Sequence, residues 1–167
     1  MAYREKSNTQ LIEQYADMVY RICVSHLAGL SKDLADDAFQ NVFLKAITAA
    51  PPFKSDEHEK AWLIRCAINE CYNLFRDQKK RRQCPLEVVQ NEPADSVLYG
   101  EDTQVYKQVL ALPEKYRIPL LLYYVEGYET CEIARILRIT QAGVWQRLRR
   151  AREKLKAVLG GIDDEWV

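Results

Sequence analysis

Apolar residues recur at intervals of three and four along most of this 167-residue chain, while glycine and proline are scarce, with six of each. Side chains at that spacing share one face of an α-helix, whereas a half-buried strand needs strict alternation. One such face is marked by Leu11, Tyr15, Met18, Ile22 and His26. The pattern predicts an all-α protein in which His26 is a core residue rather than a metal ligand.

Residues that cap or break helices divide this pattern into separate helices. Ser31 or Asp33 is placed to cap a second helix, which Pro51–Pro52 ends, because proline cannot continue the backbone hydrogen bonds. Ser55 can cap a third helix, whose first turn carries acids that the helix dipole favours. In the second half of the chain, Pro113 is predicted at the first position of a helix.

Charge is segregated along the chain although 24 basic and 24 acidic residues balance. Residues 1–82 hold 13 basic and 11 acidic residues, and residues 83–103 hold five acids and no base. This acidic stretch contains two prolines and has no strong period, which is typical of a flexible linker. The predicted organisation is two small helical domains at 1–82 and 104–160, a linker at 83–103 and a tail at 161–167.

The third helix carries two different faces. A stripe predicted to be buried consists of Ala61, Ile64, Ile68, Cys71 and Phe75. A different arc holds Trp62, Arg65, Asn69, Asn73, Arg76 and Lys80, and the basic run 79–82 follows it. An aromatic ring among cations and amides suits unpaired nucleic acid, because bases stack on the ring and phosphates meet the cations. The alternative is a solvated face with Trp62 as an anchor between helices.

Residues 132–144 have the layout of a helix-turn-helix. Ile133, Ala134 and Leu137 are predicted to bury the first helix, and Thr140 can cap the second. From residue 135 to 156 there are eight basic residues and one acid, a local patch that attracts nucleic acid. The outward positions of the second helix, where base edges would be read, are Gln141, Ala142, Trp145, Gln146 and Arg149. A helical hairpin with no DNA role is the alternative.

Catalytic, metal and membrane functions have little support in the sequence. The five cysteines include no Cys-x-x-Cys pair and there are only two histidines, so no zinc pattern forms and no cofactor is expected. No nucleophile–base pairing or glycine-rich phosphate loop is recognisable, which argues against an enzyme. Residues 1–10 are polar, and the longest apolar run, 118–125, is too short to span a membrane. A cytoplasmic protein is therefore expected.

The sequence resembles the extracytoplasmic-function sigma factors of bacterial RNA polymerase over residues 11–159. The matching segments are, in order, Asp33–Ala46, Ala61–Asn69, Leu112–Arg117, Glu126–Tyr128, Glu132–Val144 and Arg147–Arg152. The resemblance implies a promoter-specificity subunit with a region-2-like and a region-4-like domain. Such a subunit binds the β′ clamp and β flap of core polymerase, recognises promoter DNA and helps melt it. The resemblance also implies control by an anti-sigma factor and a monomer when free.

The resemblance assigns a role to three groups of residues. The polymerase clamp contact would involve Asp36, Asp37, Gln40, Asn41 and Phe43. The minus-ten element would be read and melted by Trp62, Arg65, Asn69, Asn73, Arg76, Lys79 and Lys80. The minus-thirty-five element would be contacted by Gln141, Ala142, Trp145, Gln146, Arg147, Arg149 and Arg150. The loop at 48–54 would form part of the pocket for a base flipped out of the non-template strand.

Departures from the family pattern keep two other functions open. Ala142 and Trp145 replace residues familiar in the recognition helix, so the chain could be a polymerase-docking adaptor without DNA binding. Glu129 stands where a capping serine is common, and Thr130 is predicted to cap the helix instead. A stand-alone helix-turn-helix regulator is the other alternative; such a regulator usually needs a dimer and a palindromic site.

Overall fold

A computed structural model describes residues 6–27, 30–81 and 103–160, and these parts form seven α-helices. They fall in two compact units, the first containing α1–α3 and the second containing α4–α7. The predicted all-α class is therefore confirmed. Apart from Thr103, the predicted linker at 83–103 lies outside the described residues, as does the predicted tail. The domain boundaries stay predictions.

The first unit consists of three helices that each pack against the other two. They are α1 (Asn8–His26), α2 (Lys32–Ala49) and α3 (Asp56–Arg81). Every helix contributes fully buried side chains to one shared core; these are Val19, Ile22, Ala38, Val42, Leu63, Ile64 and Ala67. His26 is also buried, as its place on the apolar face of α1 predicted. The predicted helix end before Pro51–Pro52 is confirmed as well.

The buried stripe of α3 matches the predicted one only in part, since Ile64 and Cys71 are buried as predicted. The buried apolar residues are Leu63, Ile64, Ala67 and Cys71, whereas Phe75 is exposed and Ala61 and Ile68 are half-buried. The prediction was wrong for Ala61, Ile68 and Phe75, because a spacing of three and four fits two neighbouring stripes equally well on this helix. Packing against α1 and α2 selects the stripe that contains Leu63.

The second unit contains α4 (Thr103–Ala111), α5 (Glu114–Tyr124), α6 (Thr130–Leu137) and α7 (Gln141–Leu159). Its core joins Leu122 of α5 and Ile133 of α6 to a stripe of α7, which consists of Val144, Leu148 and Ala151. Pro113 immediately precedes α5 and serves as its N-cap, one position earlier than predicted. Arg117 Nη1 donates a hydrogen bond to the Leu110 carbonyl at 2.6 Å, which links α5 to α4.

Candidate nucleic-acid and polymerase interfaces

The turn between α6 and α7 is held by backbone hydrogen bonds and a side-chain cap. Arg138 ends α6 in the left-handed conformation, with φ 55°, and the Ile139 N–H donates to the Ala134 carbonyl at 3.1 Å. Thr140 caps α7 as predicted, because its Oγ1 accepts from the Gly143 N–H at 3.0 Å. A Cβ at Gly143 would lie 3.1 Å from Thr140 Oγ1, so the first turn of α7 fits closely under its cap.

The left-handed residue in this turn carries a cost that glycine would avoid. A residue with a Cβ is strained at positive φ by about 1–2 kcal/mol, and glycine recovers part of that after its own entropy cost. We expect Arg138→Gly to stabilise the second unit by about 0.5–1 kcal/mol. Native-state hydrogen exchange of the α6 and α7 amides measures this change. Arg138→Ala keeps the strain, so an equal gain from alanine would show that side-chain charge is responsible.

A side-chain hydrogen bond joins the start of α6 to the start of α7. The buried Thr130 Oγ1 accepts from Gln141 Nε2 at 3.0 Å. The prediction that Thr130 caps α6 was wrong, because its hydroxyl faces α7. Glu129 itself occupies the cap position, and its N–H donates to the Glu132 carboxylate at 2.9 Å. One side-chain amide hydrogen of Gln141 is therefore used in a hydrogen bond within the protein.

The outward face of α7 combines apolar, amide and cationic side chains. Trp145 is 50% exposed, and the other exposed members of this face are Gln141, Ala142, Gln146, Arg149 and Arg150. Arg147 is half-buried. Arg149 Nε lies 3.3 Å from Glu153 Oε1, so the acid one turn later orients this guanidinium. Within α6, Ile133 and Ala134 are buried as predicted, whereas Leu137 is half-buried and Ile136 is buried in its place.

The polar face of α3 begins beside an aromatic cluster. The Phe53 ring lies 5.6 Å from the Trp62 ring and 5.7 Å from the His58 ring, in edge-to-face arrangements. Trp62 and Arg65 are half-buried, so both are anchored at one side and open at the other. The remaining predicted residues of this face are all exposed; they are Asn69, Asn73, Arg76, Lys79 and Lys80.

Tyr72 is an exposed aromatic residue on this face that the sequence prediction missed. It is 55% exposed and lies three residues after Asn69 and four before Arg76, which places all three on one face of α3. That spacing was visible in the sequence. An aromatic ring between an amide and a guanidinium suits base stacking, as for Trp62.

The predicted clamp residues of α2 divide between surface and core. Asp37 and Gln40 are exposed, whereas Asp36 accepts a hydrogen bond from the Tyr20 hydroxyl at 3.2 Å. Asn41 is half-buried. Phe43 is buried against the Phe39 ring, with centroids 5.0 Å apart, so its side chain is a core element and not a contact surface.

Two exposed apolar residues of α2 were also missed. Leu44 is 60% exposed and Ile47 is 44% exposed. They follow Asp37 and Gln40 at helical spacing, so the four side chains form one outward strip along α2, which we call the α2 strip. Large apolar side chains on an exposed helix face are typical of protein-binding surfaces.

Comparison with known families assigns both units. The sigma-70 region 2 family model matches residues 11–81, and the sigma-70 region 4 family model matches residues 102–155. Several relatives that match most of the chain are named extracytoplasmic-function RNA polymerase sigma factors. The chain belongs to the extracytoplasmic-function sigma factors.

Individual relatives are distant but match over most of their length. Sigma factor SigM of Mycobacterium tuberculosis is 28% identical over 154 residues, covering 92% of this sigma factor and 78% of that protein. SigW of Bacillus subtilis is 27% identical, covering 89% and 87%. The structure of RpoE from Bartonella quintana, solved with the anti-sigma factor NepR, matches with a TM-score of 0.74 at 25% identity, covering 93% and 97%.

Two ion-pair clusters fix the helix that carries the region 2 face of this sigma factor. Lys6 Nζ lies 2.6 Å from the buried Glu59 carboxylate and 2.6 Å from Asp56, at the start of α3. Further along, Lys45 of α2 pairs with the buried Glu70, and this hydrogen bond raises the pKa of Lys45. Both clusters hold α3 in position relative to its neighbours, and therefore hold Trp62 and Tyr72 as well.

The described part of the sigma factor contains no cluster of side chains suited to bind a metal ion. No helix in it is long and apolar enough to cross a membrane. Burial is the main cause that raises the pKa of the Cys66 thiol, which is therefore protonated at neutral pH.

Proposed function

We propose that this sigma factor uses three surfaces: the outward face of α7 for the minus-thirty-five element, the polar face of α3 for the minus-ten element and the α2 strip for the polymerase clamp. The observation that carries the proposal is that both sigma regions occur on one chain, each with a solvent-accessible face of matching chemistry. In this role the chain binds core RNA polymerase, recognises promoter DNA, helps melt it and has no catalytic activity of its own.

The α7 face suits the major groove of duplex DNA. A recognition helix contacts base edges with residues near its N-terminus, and Ala142, Trp145 and Gln146 occupy that part of α7. Arg147 and Arg150 are placed to reach flanking phosphates, which fix position without reading sequence. Gln141 serves this face mainly by bonding Thr130 and thereby setting the crossing of α6 and α7.

The α3 face suits a melted strand. Trp62 and Tyr72 offer rings to unpaired bases, while Arg65, Arg76 and the lysines at 79 and 80 offer charge to phosphates. The loop before α3 contributes Phe53, whose ring packs on Trp62. We infer that this aromatic pair lines the pocket for the flipped base, where favourable contacts offset the few kcal/mol that unstacking costs.

Tyr72 gives this proposal a specific test. Base stacking on an aromatic side chain is worth about 1–3 kcal/mol, so we expect Tyr72→Ala to lower the fraction of melted promoter about tenfold. Permanganate reactivity of unpaired thymines in the polymerase complex measures melting. Tyr72→Phe keeps the ring and should retain melting. Equal losses from both substitutions would assign the effect to the hydroxyl and contradict stacking.

Each DNA contact alone is expected to be weak, and both become strong once polymerase holds the two units. The second contact is then effectively intramolecular, which raises apparent affinity without any new interaction. We place the protein in the cytoplasm, where core polymerase is found. We also propose control by an anti-sigma factor, supported by the RpoE structure from Bartonella quintana, which was solved with the anti-sigma factor NepR.

The experiment that tests this function is transcription of fragmented genomic DNA from the source organism by core polymerase, with and without the protein. Sequencing the transcript starts should reveal new starts that share two upstream elements at fixed spacing. Stable core binding without new starts would favour an adaptor. The absence of both new starts and binding of the protein to core polymerase, together with a symmetric footprint on DNA, would favour a stand-alone regulator.

A further inference from the structure

Trp145 lies on the surface of α7, in the part of the helix that is fixed by its N-terminal hydrogen bonds. Half of its surface is open to solvent, although the ring is one of the largest apolar groups in the second unit. The helix that carries it is capped by Thr140 and tied to α6 by the bond from Gln141 to Thr130. Trp145 is therefore presented outward by a fixed helix end rather than by a mobile loop.

The apolar surface of Trp145 continues toward the N-terminus of α7 and is bordered by polar side chains toward the C-terminus. Ala142 lies one turn earlier on the same outward arc and adds a methyl group, whereas Gln146 and Arg149 flank the ring with an amide and a guanidinium. Arg149 is drawn along the helix by Glu153, at 3.3 Å. The N-terminal part of the outward face thus has an apolar centre with polar borders.

Only one group in the major groove is apolar and sequence-specific, namely the 5-methyl of thymine. Adenine, guanine and cytosine present several hydrogen-bond donors and acceptors there. The indole ring offers a single N–H donor and the alanine methyl offers none, so most of these groups would be left without a partner. An amide beside the apolar centre is suited to adenine, since Gln can bond adenine N6 and N7 together. Burying a polar base edge against Trp145 would carry a desolvation cost, whereas burying a methyl is favourable.

We propose that Trp145, with Ala142, reads a thymine 5-methyl group in the minus-thirty-five element. This inference rests on the proposed function, because it names the feature of the promoter that the α7 face selects. Trp145 then determines specificity by apolar contact, and the flanking arginines supply affinity that does not depend on sequence.

The test uses promoter fragments identified by sequencing the transcript starts. Each is made in two forms, with thymine or with deoxyuridine throughout the upstream element, so that only the 5-methyl groups differ. Binding of the complete polymerase–sigma complex to each form is measured at one fixed salt concentration. For the wild-type protein, one contacted methyl should be worth about a fivefold loss on deoxyuridine.

Variants separate methyl reading from other effects of deoxyuridine. Trp145→Ala should lose most of the difference between the two forms, because only the small contact of Ala142 remains, and Trp145→Phe should retain more of it. Arg150→Ala is the matched control, since loss of a phosphate contact should weaken both forms by the same factor. Identical wild-type affinity for both forms, or a methyl effect of wild-type size in Trp145→Ala, would overturn the proposal.

The outcomes also separate this inference from the function on which it rests. If no new transcript starts are found, the proposed function fails before any fragment is made. If starts are found but their upstream elements share no thymine on either strand, the function stands and the methyl-reading role of Trp145 is wrong.

Discussion

Replacing both Leu44 and Ile47 with aspartate should reduce the affinity for core polymerase by at least about 100-fold, because two apolar contacts are lost and two charges are buried instead. Both side chains project from α2 into solvent, so the isolated protein should keep its fold and its unfolding midpoint. Affinity is measured by competition with a labelled sigma factor for core enzyme, and folding by circular dichroism.

Val158→Asp supplies the control for that experiment. Val158 is 61% exposed on α7, nearly the same fraction as Leu44, but it lies in the other unit. If exposed apolar residues contributed to core binding only through non-specific hydrophobic association, this substitution would weaken core binding to a similar degree. A large loss for the α2 pair and a small one for Val158 would locate the clamp contact on α2. Similar losses would contradict that location.

The second large effect is expected for the ion pair that holds the start of α3. Lys6→Met leaves the Glu59 carboxylate buried without its 2.6 Å partner, and breaking a buried pair in this way costs about 3 kcal/mol. We expect a loss of roughly that size in the free energy of unfolding of the first unit, measured by urea denaturation. Adding Glu59→Gln removes the buried negative charge that Lys6 neutralises in the wild-type protein and should restore about half of the loss.

Lys32→Met is the matched control, because Lys32 is an exposed lysine in the same unit. Its substitution should change stability by less than about 0.5 kcal/mol. A drop as large as that of Lys6→Met would show that the net charge of the unit is responsible. A failure of Glu59→Gln to rescue would instead show that Lys6 acts through its contacts with Tyr15 and Asp56.

Local signals in the sequence were sufficient for three of the helix ends. The end of α2 before two prolines, the Ser55 cap of α3 and the Thr140 cap of α7 each depend on residues within one turn. Proline and capping side chains determine a helix end through backbone hydrogen bonds within that one turn. The layout of the helix-turn-helix could be predicted for the same reason.

The apolar side chains that face the core were harder to predict, because two adjacent apolar positions can each occupy the buried face of a helix. Phe43 and Leu44 are neighbours of similar hydrophobicity, yet packing against Phe39 buries the first and leaves the second exposed. Tyr72 was missed although its spacing from Asn69 and Arg76 is visible in the sequence. Long-range pairs such as Lys6–Glu59, separated by 53 positions, leave no local trace in a single sequence.

The bond between Gln141 and Thr130 has a consequence for retargeting this sigma factor to other promoters. A designer who exchanges the outward residues of α7 for those of another family member would remove the donor to Thr130, a buried acceptor on a different helix. Promoter preference and interhelical support thus share one side chain. Successful grafts must therefore transfer positions 130 and 141 together, so the smallest exchangeable cassette begins at α6.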